Sequence, residues 1–213
     1  FGLDGNDLLV GGLGNDIIDG GAGLDTDKVD DQFGFPNARN YSLNKSTNGS
    51  WTVSFKGPTI AIYPPPATNG TDTLINVERL KFNDKSIALD LDGVAGIAAK
   101  VIGAVLGKTQ VQNPTFVGLG LSYLDKGMSY SDLGALAMTA VGSTTNDAVV
   151  STLWRNVVGF DASSEQKAPY IKMLSDGMKV GDLVVLAADT SFNTTNINLV
   201  GLAQTGIEYI PVI

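Results

Sequence analysis

Residues 2–28 read GLDGNDLLV GGLGNDIID GGAGLDTDK, three units of nine residues that align without gaps. Each unit begins with glycine, has glycine at its fourth position and has aspartate at its sixth position. A fixed period of this kind predicts a repeated structural unit that stacks on its neighbours, because one unit alone is too small to bury a core. The rest of the chain is interpreted outward from this array.

The residue types in the array suit a calcium ion. Glycine allows backbone angles that a side chain forbids, so a glycine-rich turn can direct several carbonyl oxygens to one point. The sixth-position residues Asp7, Asp16 and Asp25 add carboxylate oxygens, and calcium takes about six to eight hard oxygen ligands. The candidate metal-site residues are these three aspartates and the residues at the first, third and fourth positions. The latter are Gly2, Asp4, Gly5, Gly11, Leu13, Gly14, Gly20, Ala22 and Gly23.

A short strand is predicted after each sixth-position aspartate, and its eighth-position side chain is expected to face the interior. Leu9 and Ile18 suit that place, because burying an apolar side chain is favourable. Asp27 occupies the same position in the third unit and does not suit it. We therefore expect the array to end there.

The nine-residue pattern resembles the repeats of the RTX (repeats-in-toxin) family of toxins, adhesins and hydrolases exported by type I secretion. The resemblance implies a short parallel β-roll over residues 1–31, in which turns two repeats apart share a calcium ion. Asp7 and the turn of residues 20–25 would then form one complete site. Asp16 would pair with a turn supplied by sequence upstream of Phe1, since the chain opens in mid-repeat. The number of ions is left open.

Charge and composition exclude several classes of partner. The net charge is −8 at pH 7, and residues 1–31 hold eight aspartates against one lysine. A nucleic-acid partner would require a basic face, so none is expected. Because the chain has no cysteine and no histidine, disulfides and thiolate or imidazole metal sites are excluded. The most apolar stretch, residues 94–106, is too short for a membrane span and predicts a core helix.

Residues 32–91 are predicted to form a β-rich segment with antiparallel strands, because short runs alternate apolar and polar side chains. The predicted strands cover residues 41–44, 51–55 and 59–63, with a turn at residues 48–49. The passage over residues 70–90 is similar to the stretch that closes RTX arrays in large exported proteins. Its expected role is to cover the open edge of the roll, which would otherwise invite aggregation.

Two acidic features near the end of this segment have both a functional and a structural interpretation. Glu78 and Arg79 are interpreted as a surface or local structural pair, with a functional pair as the alternative. Residues 90–93 read Asp-Leu-Asp-Gly, like the start of an EF-hand loop, but the twelfth position is Val101 rather than glutamate. A helix cap at Asp92 is therefore the preferred interpretation.

From residue 92 the apolar period becomes helical, which predicts an α-helical domain over residues 92–213 with about six or seven helices. Capping signals mark three helix starts, at Asn113 with Pro114, at Ser129 and at Ser163.

The helical domain also repeats itself. Residues 124–128 read LDKGM and residues 174–178 read LSDGM, fifty positions later. We therefore predict two duplicated units, residues 98–145 and residues 149–193, that pack together in one bundle. This half is similar to the helical domain of unknown function that often ends RTX-containing exported proteins, and residues 153–159 carry the resemblance best.

Enzymatic activity is not expected from this chain. Without histidine and cysteine, Ser-His-Asp and Cys-His sites are impossible. The acidic pairs Asp30-Asp31 and Asp90 with Asp92 are explained by repeat or cap features, although paired carboxylates leave a glycosidase open. Trp51 is interpreted as a core residue, like Trp154, with a sugar-binding groove as the alternative.

The sequence as a whole predicts an α+β chain: a short parallel β-roll, a small antiparallel β segment and an α-helical bundle. The expected function is that of a calcium-binding C-terminal module of a type I-secreted bacterial protein, located outside the cell or at its surface. The expected partners are calcium ions, the type I secretion machinery and either further copies or a cell surface. A calcium-dependent surface-assembly or adhesion module is the main alternative, and a cryptic hydrolase is a further one. Catalytic activity is expected only in sequence upstream of this chain.

Overall fold

The structure is a computed structural model that describes residues 1–29, 37–57 and 70–212. The chain divides into two compact units, of which the first comprises residues 1–90 with 203–208 and the second comprises residues 91–202 with 209–213. β-strands form the first unit and α-helices dominate the second. The fold class is thus α+β, with two small mixed sheets and eight α-helices in the described part of the chain.

Short strands make up the first unit. They are β1 (Leu8–Leu9), β2 (Ile17–Asp19), β3 (Thr26–Lys28), β4 (Tyr41–Lys45), β5 (Trp51–Phe55), β6 (Thr71–Ile75), β7 (Arg79–Lys81), β8 (Ser86–Ala88) and β9 (Ile207–Tyr209). One sheet has the strand order β1-β3-β7-β8-β9, and the other has the order β2-β6-β5-β4. The predicted strand over residues 59–63 lies outside the described residues.

Strands from successive turns alternate between the two sheets. In the first sheet β1 pairs in parallel with β3, and β3 pairs in parallel with β7. In the second sheet β2 pairs in parallel with β6. β6 and β7 thus extend the stack begun by the three nine-residue units. The expectation that the nine-residue array ends at Asp27 stays a prediction, while two further strands follow on the same sheets.

The predicted strands over residues 41–44 and 51–55 are confirmed as the antiparallel hairpin β4–β5. Its turn includes Gly49, which has a φ of 92°, a conformation that glycine adopts without steric cost. β5 also pairs antiparallel with β6 and so attaches the hairpin to the second sheet. Ser54 lies opposite Thr71 at the end of this pairing.

The core of the first unit brings together apolar residues of both sheets. Trp51, Leu74 and Leu80 are buried there, with exposed fractions of 4%, 1% and 0%. Ile18, the eighth-position residue of the second unit of the array, belongs to the same cluster. Trp51 is therefore a core residue.

Eight α-helices follow, more than the six or seven expected. They are α1 (Val94–Leu106), α2 (Pro114–Leu124), α3 (Tyr130–Ala140), α4 (Asn146–Val158), α5 (Ser164–Ser175), α6 (Val180–Ala188), α7 (Ser191–Asn196) and α8 (Leu199–Thr205). The two last helices are short, and residues 191–196 read SFNTTN, a polar run without the apolar period that reveals longer helices.

Helix α1 lies at the centre of the second unit. Its alanines Ala95, Ala98, Ala99 and Ala104 are fully buried, and it contacts α2, α3, α4, α6 and α7. Alanine suits such a place because its small side chain lets neighbouring helices approach closely. The prediction of a core helix over residues 94–106 is confirmed. None of the helices in the described ranges is both long and apolar enough to cross a membrane.

Three of the four predicted helix caps are confirmed. At the start of α2 the side chain of Asn113 accepts a hydrogen bond from Thr115 N, and at the start of α3 that of Ser129 accepts one from Asp132 N. At the start of α5, Ser163 forms a reciprocal capping box with Gln166. The cap predicted at Asp92 is wrong by one residue. Gly93 precedes α1 instead, without a side-chain hydrogen bond.

Candidate metal centre

The turns of the array have the backbone conformation that their glycines permit. The fourth-position residues Gly5, Gly14 and Gly23 have φ values of 118°, 107° and 143°. At the second position Gly12 has a φ of 96°, and Leu3 has one of 81° although it carries a side chain. A positive φ is energetically unfavourable for any residue that has a Cβ atom. The turn therefore requires glycines at this spacing.

The first and third turns stack on each other. Asp4 and Ala22 form a parallel bridge, and Gly5 N donates a 2.8 Å hydrogen bond to the carbonyl oxygen of Ala22. Asp7 N donates a 2.8 Å hydrogen bond to Oδ1 of Asp25. The candidate residues at the third, fourth and sixth positions of these two turns therefore lie together.

The second turn stacks on residues 70–72. Asp16 N donates to Oδ1 of Asp72 at 2.9 Å, and Thr71 N donates to Oδ1 of Asn15 at 2.8 Å. Gly70 has a φ of 68°, so it is left-handed like the fourth-position glycines of the array. The sequence interpretation sought the partner of Asp16 upstream of the chain, whereas the structure provides one downstream.

Glu78 continues the first stack. Its Oε2 accepts a 2.9 Å hydrogen bond from Asp25 N, and burial raises the pKa of its carboxyl group, with repulsion from Asp25 and Asp90 adding to the rise. The Arg79 side chain makes other contacts. Its guanidinium donates a 2.5 Å hydrogen bond to Oδ1 of Asp90 and a 3.0 Å hydrogen bond to the carbonyl oxygen of Glu78. Among the described residues, Glu78 and Arg79 form no ion pair with each other, and Asp90 is a carboxylate partner of Arg79.

The three sixth-position aspartates share an uncommon feature. In each, Oδ2 is buried and has no hydrogen-bond partner. Asp25 is fully buried, with an exposed fraction of 0%. A Cβ added at Gly2 would lie 2.6 Å from Oδ2 of Asp7, and one added at Gly20 would lie 2.6 Å from Oδ2 of Asp25. The carboxylate of each of these turns thus folds back over the turn's own first-position glycine, where only glycine leaves room.

Asp27 is a further buried carboxylate of the array. It is 2% exposed, and its Oδ1 has no hydrogen-bond partner. Burial, with repulsion from Asp72 as a smaller cause, raises its pKa to about 7. The pKa of Asp72 is raised to about 6, mainly by burial.

The donor chemistry of these turns fits a hard cation. A carboxylate buried without a partner is expensive unless a proton or a cation neutralises it. Within residues 1–29, 37–57 and 70–212, no group of three or more acidic side chains forms a metal cluster by itself. A cation at these turns would need backbone carbonyl oxygens beside one or two carboxylates, which is a set that calcium accepts. In the second turn the candidate residues Gly11, Leu13 and Gly14 are half-buried.

Sequence reasoning missed Asp72 and Glu78 as members of the stacks. A signal for Asp72 was present, because residues 70–74 read Gly-Thr-Asp-Thr-Leu and residues 14–18 read Gly-Asn-Asp-Ile-Ile. Both follow the order glycine, any residue, aspartate, any residue, apolar residue. The segment between residue 75 and Glu78 is too short to form a nine-residue unit. The sequence therefore gives no sign that Glu78 belongs to the stack, and only the structure shows it.

Comparison of the chain with protein-family models, with curated proteins and with solved structures gives no match.

Proposed function

We propose that this chain is an RTX-type calcium-binding module from the C-terminal region of a bacterial protein exported by type I secretion. In this proposal the module folds on calcium outside the cell and supports export and stability. It is a binding and folding module rather than an enzyme.

The observation that carries the proposal is the buried, unpartnered Oδ2 of Asp7, Asp16 and Asp25. These oxygens recur at the same position of three consecutive turns, so a local accident of packing does not explain them. A calcium ion between stacked turns would satisfy them together with backbone carbonyl oxygens. A monovalent ion or a set of protons would satisfy them less well, because the segment of residues 1–31 carries a net charge of −7.

A short parallel β-roll is the architecture that we propose for this array. The alternation of β1, β2 and β3 between two sheets supports it, as does the parallel pairing of β1 with β3. The inward position of Ile18 supports it as well. We propose that β6 and β7 complete the roll after the hairpin β4–β5.

Calcium would act in this proposal as the switch between export and function. Without calcium, the aspartates of residues 1–31 repel each other and the glycine-rich backbone gains entropy by remaining unfolded. Outside the cell, an ion that binds only the folded turns stabilises them by about 1.4 kcal/mol per site when its concentration is ten times its dissociation constant. A few sites therefore suffice to fold a marginal segment.

Circular dichroism in chelator and in millimolar calcium tests the switch. We expect a strand signal that grows on addition of calcium, whereas the helical signal of residues 94–205 changes little. Isothermal titration calorimetry should show calcium binding in the same transition. Identical spectra in both conditions, together with no heat of binding, would refute the proposed function.

We also propose that the helical unit arose by duplication. Helices α2 and α5 begin fifty residues apart, and so do α3 and α6. The connecting turns support the relationship, because Gly127 and Gly177 have φ values of 89° and 104° and occupy equivalent places. An experimental structure tests it: residues 98–145 and 149–193 should superpose helix by helix in the same order.

An apolar surface on the helical unit favours the second candidate function, calcium-dependent surface assembly. Leu186 is 49% exposed and Phe192 is 63% exposed, and they border an open cavity of about 320 Å³ with Trp154 and Tyr170. Contiguous exposed apolar surface often marks an interaction site. Sedimentation velocity tests this candidate. Assembly in calcium that is lost in Leu186→Lys would support it, and a monomer at all calcium concentrations would exclude self-assembly.

A further inference from the structure

The third turn of the array carries an aspartate where its neighbours carry leucine. Asp27 lies between Leu9 on β1 and Leu80 on β7 in the register of the sheet. Leu80 is completely buried, and Asp27 is 2% exposed. The carboxylate therefore occupies a place in the interior that the rest of the stack fills with apolar side chains.

Within the residues that the structure describes, no salt bridge neutralises this carboxylate, although Lys28 also lines the adjoining cavity. In the described part of the chain, no ion pair joins Asp27 or Asp72 to a lysine or an arginine. Residues 30–36 and 58–69 contain no lysine, arginine or histidine in their sequence, so they can supply none. A buried carboxylate without a positive partner must hold a proton or bind a metal ion.

A small cavity adjoins the two carboxylates. It has a volume of about 10 Å³, and its lining residues are Gly11, Gly12, Asp27, Lys28, Val29, Tyr41 and Asp72. A space of this size holds one ion or one water molecule. The lining is mostly polar, because it combines two carboxylates with the backbone of the second turn. Asp27, whose Oδ1 has no hydrogen-bond partner, is one of the residues that line the cavity.

The cavity is lined by residues of the second stack of turns. The first turn stacks on residues 20–25, and the second turn stacks on residues 70–72 at the start of β6. Pairing between β1 and β3 ends at Leu9 opposite Asp27.

We propose that Asp27 and Asp72 hold a calcium ion in this cavity, because the buried Oδ1 of Asp27 has no hydrogen-bond partner and both residues line the space. The assignment rests on the proposed calcium-binding function of the turns and adds an interior carboxylate ligand to it. Two carboxylates balance the charge of a divalent cation, and Gly11 and Gly12 also line the cavity.

Calcium titration by isothermal calorimetry tests the assignment on the whole chain and its variants. Asp27→Leu restores the apolar residue of the neighbouring turns and should bind one calcium ion fewer per chain than the wild type. Asp27→Asn should weaken one site by about tenfold or more, because the ligand charge falls. Asp19→Asn is the matched control, because Asp19 lies on β2, where its Oδ1 accepts a hydrogen bond from Asn76. The Asp19→Asn variant should bind calcium with the same stoichiometry and affinity as the wild type.

Thermal unfolding in chelator separates a metal ligand from a structural residue. Without calcium, Asp27→Leu should unfold at the same temperature as the wild type or higher, since a buried carboxylate is removed. The rise in unfolding temperature from chelator to calcium should be smaller for Asp27→Leu than for the wild type. A variant that is destabilised equally in chelator and in calcium would assign Asp27 a purely structural role and overturn the inference.

The outcomes also distinguish this inference from the proposed function. Calcium binding by the wild type with unchanged stoichiometry and affinity in Asp27→Leu would overturn the inference and leave the proposed function intact. No calcium binding by the wild type would overturn both. Asp7→Asn, which alters the other stack, should weaken a different ion and leave the Asp27 site in place.

Discussion

The backbone N–H of Asp7 donates a 2.8 Å hydrogen bond to Oδ1 of Asp25, the residue at the same position eighteen residues later. Asp25 in turn donates its N–H to Oε2 of Glu78 at 2.9 Å. Asp16 and Asp72 repeat this relationship in the other stack. One oxygen of each accepting acid therefore links two turns, while Oδ2 of Asp7, Asp16 and Asp25 is buried without a hydrogen-bond partner.

Asp25→Asn separates these two roles, because asparagine keeps an oxygen that can accept the hydrogen bond from Asp7 N. In chelator we expect the variant to be as stable as the wild type or more stable, since a buried charge is gone. In calcium we expect it to lose the stabilisation of one ion, about 1.4 kcal/mol at ten times the dissociation constant. Urea unfolding followed by circular dichroism in both conditions measures the difference.

Asp25→Ala serves as the comparison for this prediction. It removes the acceptor as well as the charge, and a buried donor left unsatisfied costs about 1–3 kcal/mol. We therefore expect Asp25→Ala to be less stable than Asp25→Asn even in chelator. Equal stability of the two variants there would show that the hydrogen bond between the turns contributes nothing.

Gly12 and Gly21 provide a matched pair for the turns, because both have a φ of 96°. A Cβ at Gly12 would meet open space, whereas one at Gly21 would overlap the carbonyl oxygen of Leu3. Gly12→Ala should therefore cost about 1–2 kcal/mol for the left-handed backbone alone. Gly21→Ala should cost a further ~1–3 kcal/mol, because the stacked turns must separate. Unfolding free energies measured in calcium test this order, and equal costs would contradict the stacking of the first and third turns.

The ion pair between Arg79 and Asp90 is the most buried one described, with exposed side-chain fractions of 3% and 14%. Removing one partner of a buried pair costs about 3–5 kcal/mol. Arg79→Met and Asp90→Leu should each destabilise the first unit by an amount of this order. The double variant should lose less unfolding free energy than the sum of the losses in the two single variants. A double-mutant cycle in urea measures this coupling. Additive effects would show that the two charges do not depend on each other.

The sequence predicts those parts of the fold whose signals are local. The turns of residues 2–28 follow from glycine and aspartate spacing, and the hairpin β4–β5 follows from alternation around Asn48-Gly49. The cap at Ser163 follows from the presence of Gln166 three residues later. In each case the interacting residues are close in the chain, so a short window contains the whole signal.

Where the sequence interpretation failed, the contacts were distant in the chain. Asp16 and Asp72 are separated by 56 residues, and the intervening segment removes the nine-residue period that would have connected them. Asp27 was interpreted as a stop signal because a carboxylate in an apolar position is unfavourable. The structure keeps it inside the stack, where a cavity adjoins it.

Helices α3 and α6 offer a last prediction, on the second unit. A Cβ at Gly181 would overlap the carbonyl oxygen of Ser131, whereas a Cβ at Gly120 would meet Ala98, at 3.2 Å from its Cβ and 3.8 Å from its Cα. Both glycines lie within helices, so the higher helix propensity of alanine should by itself stabilise the helix by about 1 kcal/mol at either place. Gly181→Ala should nevertheless destabilise the second unit by at least ~1–3 kcal/mol, because helix backbones in contact must move apart. Gly120→Ala should stay within about 1 kcal/mol of the wild type. Urea unfolding followed by the helical signal measures both, and a neutral Gly181→Ala would mean that α3 and α6 are not in backbone contact.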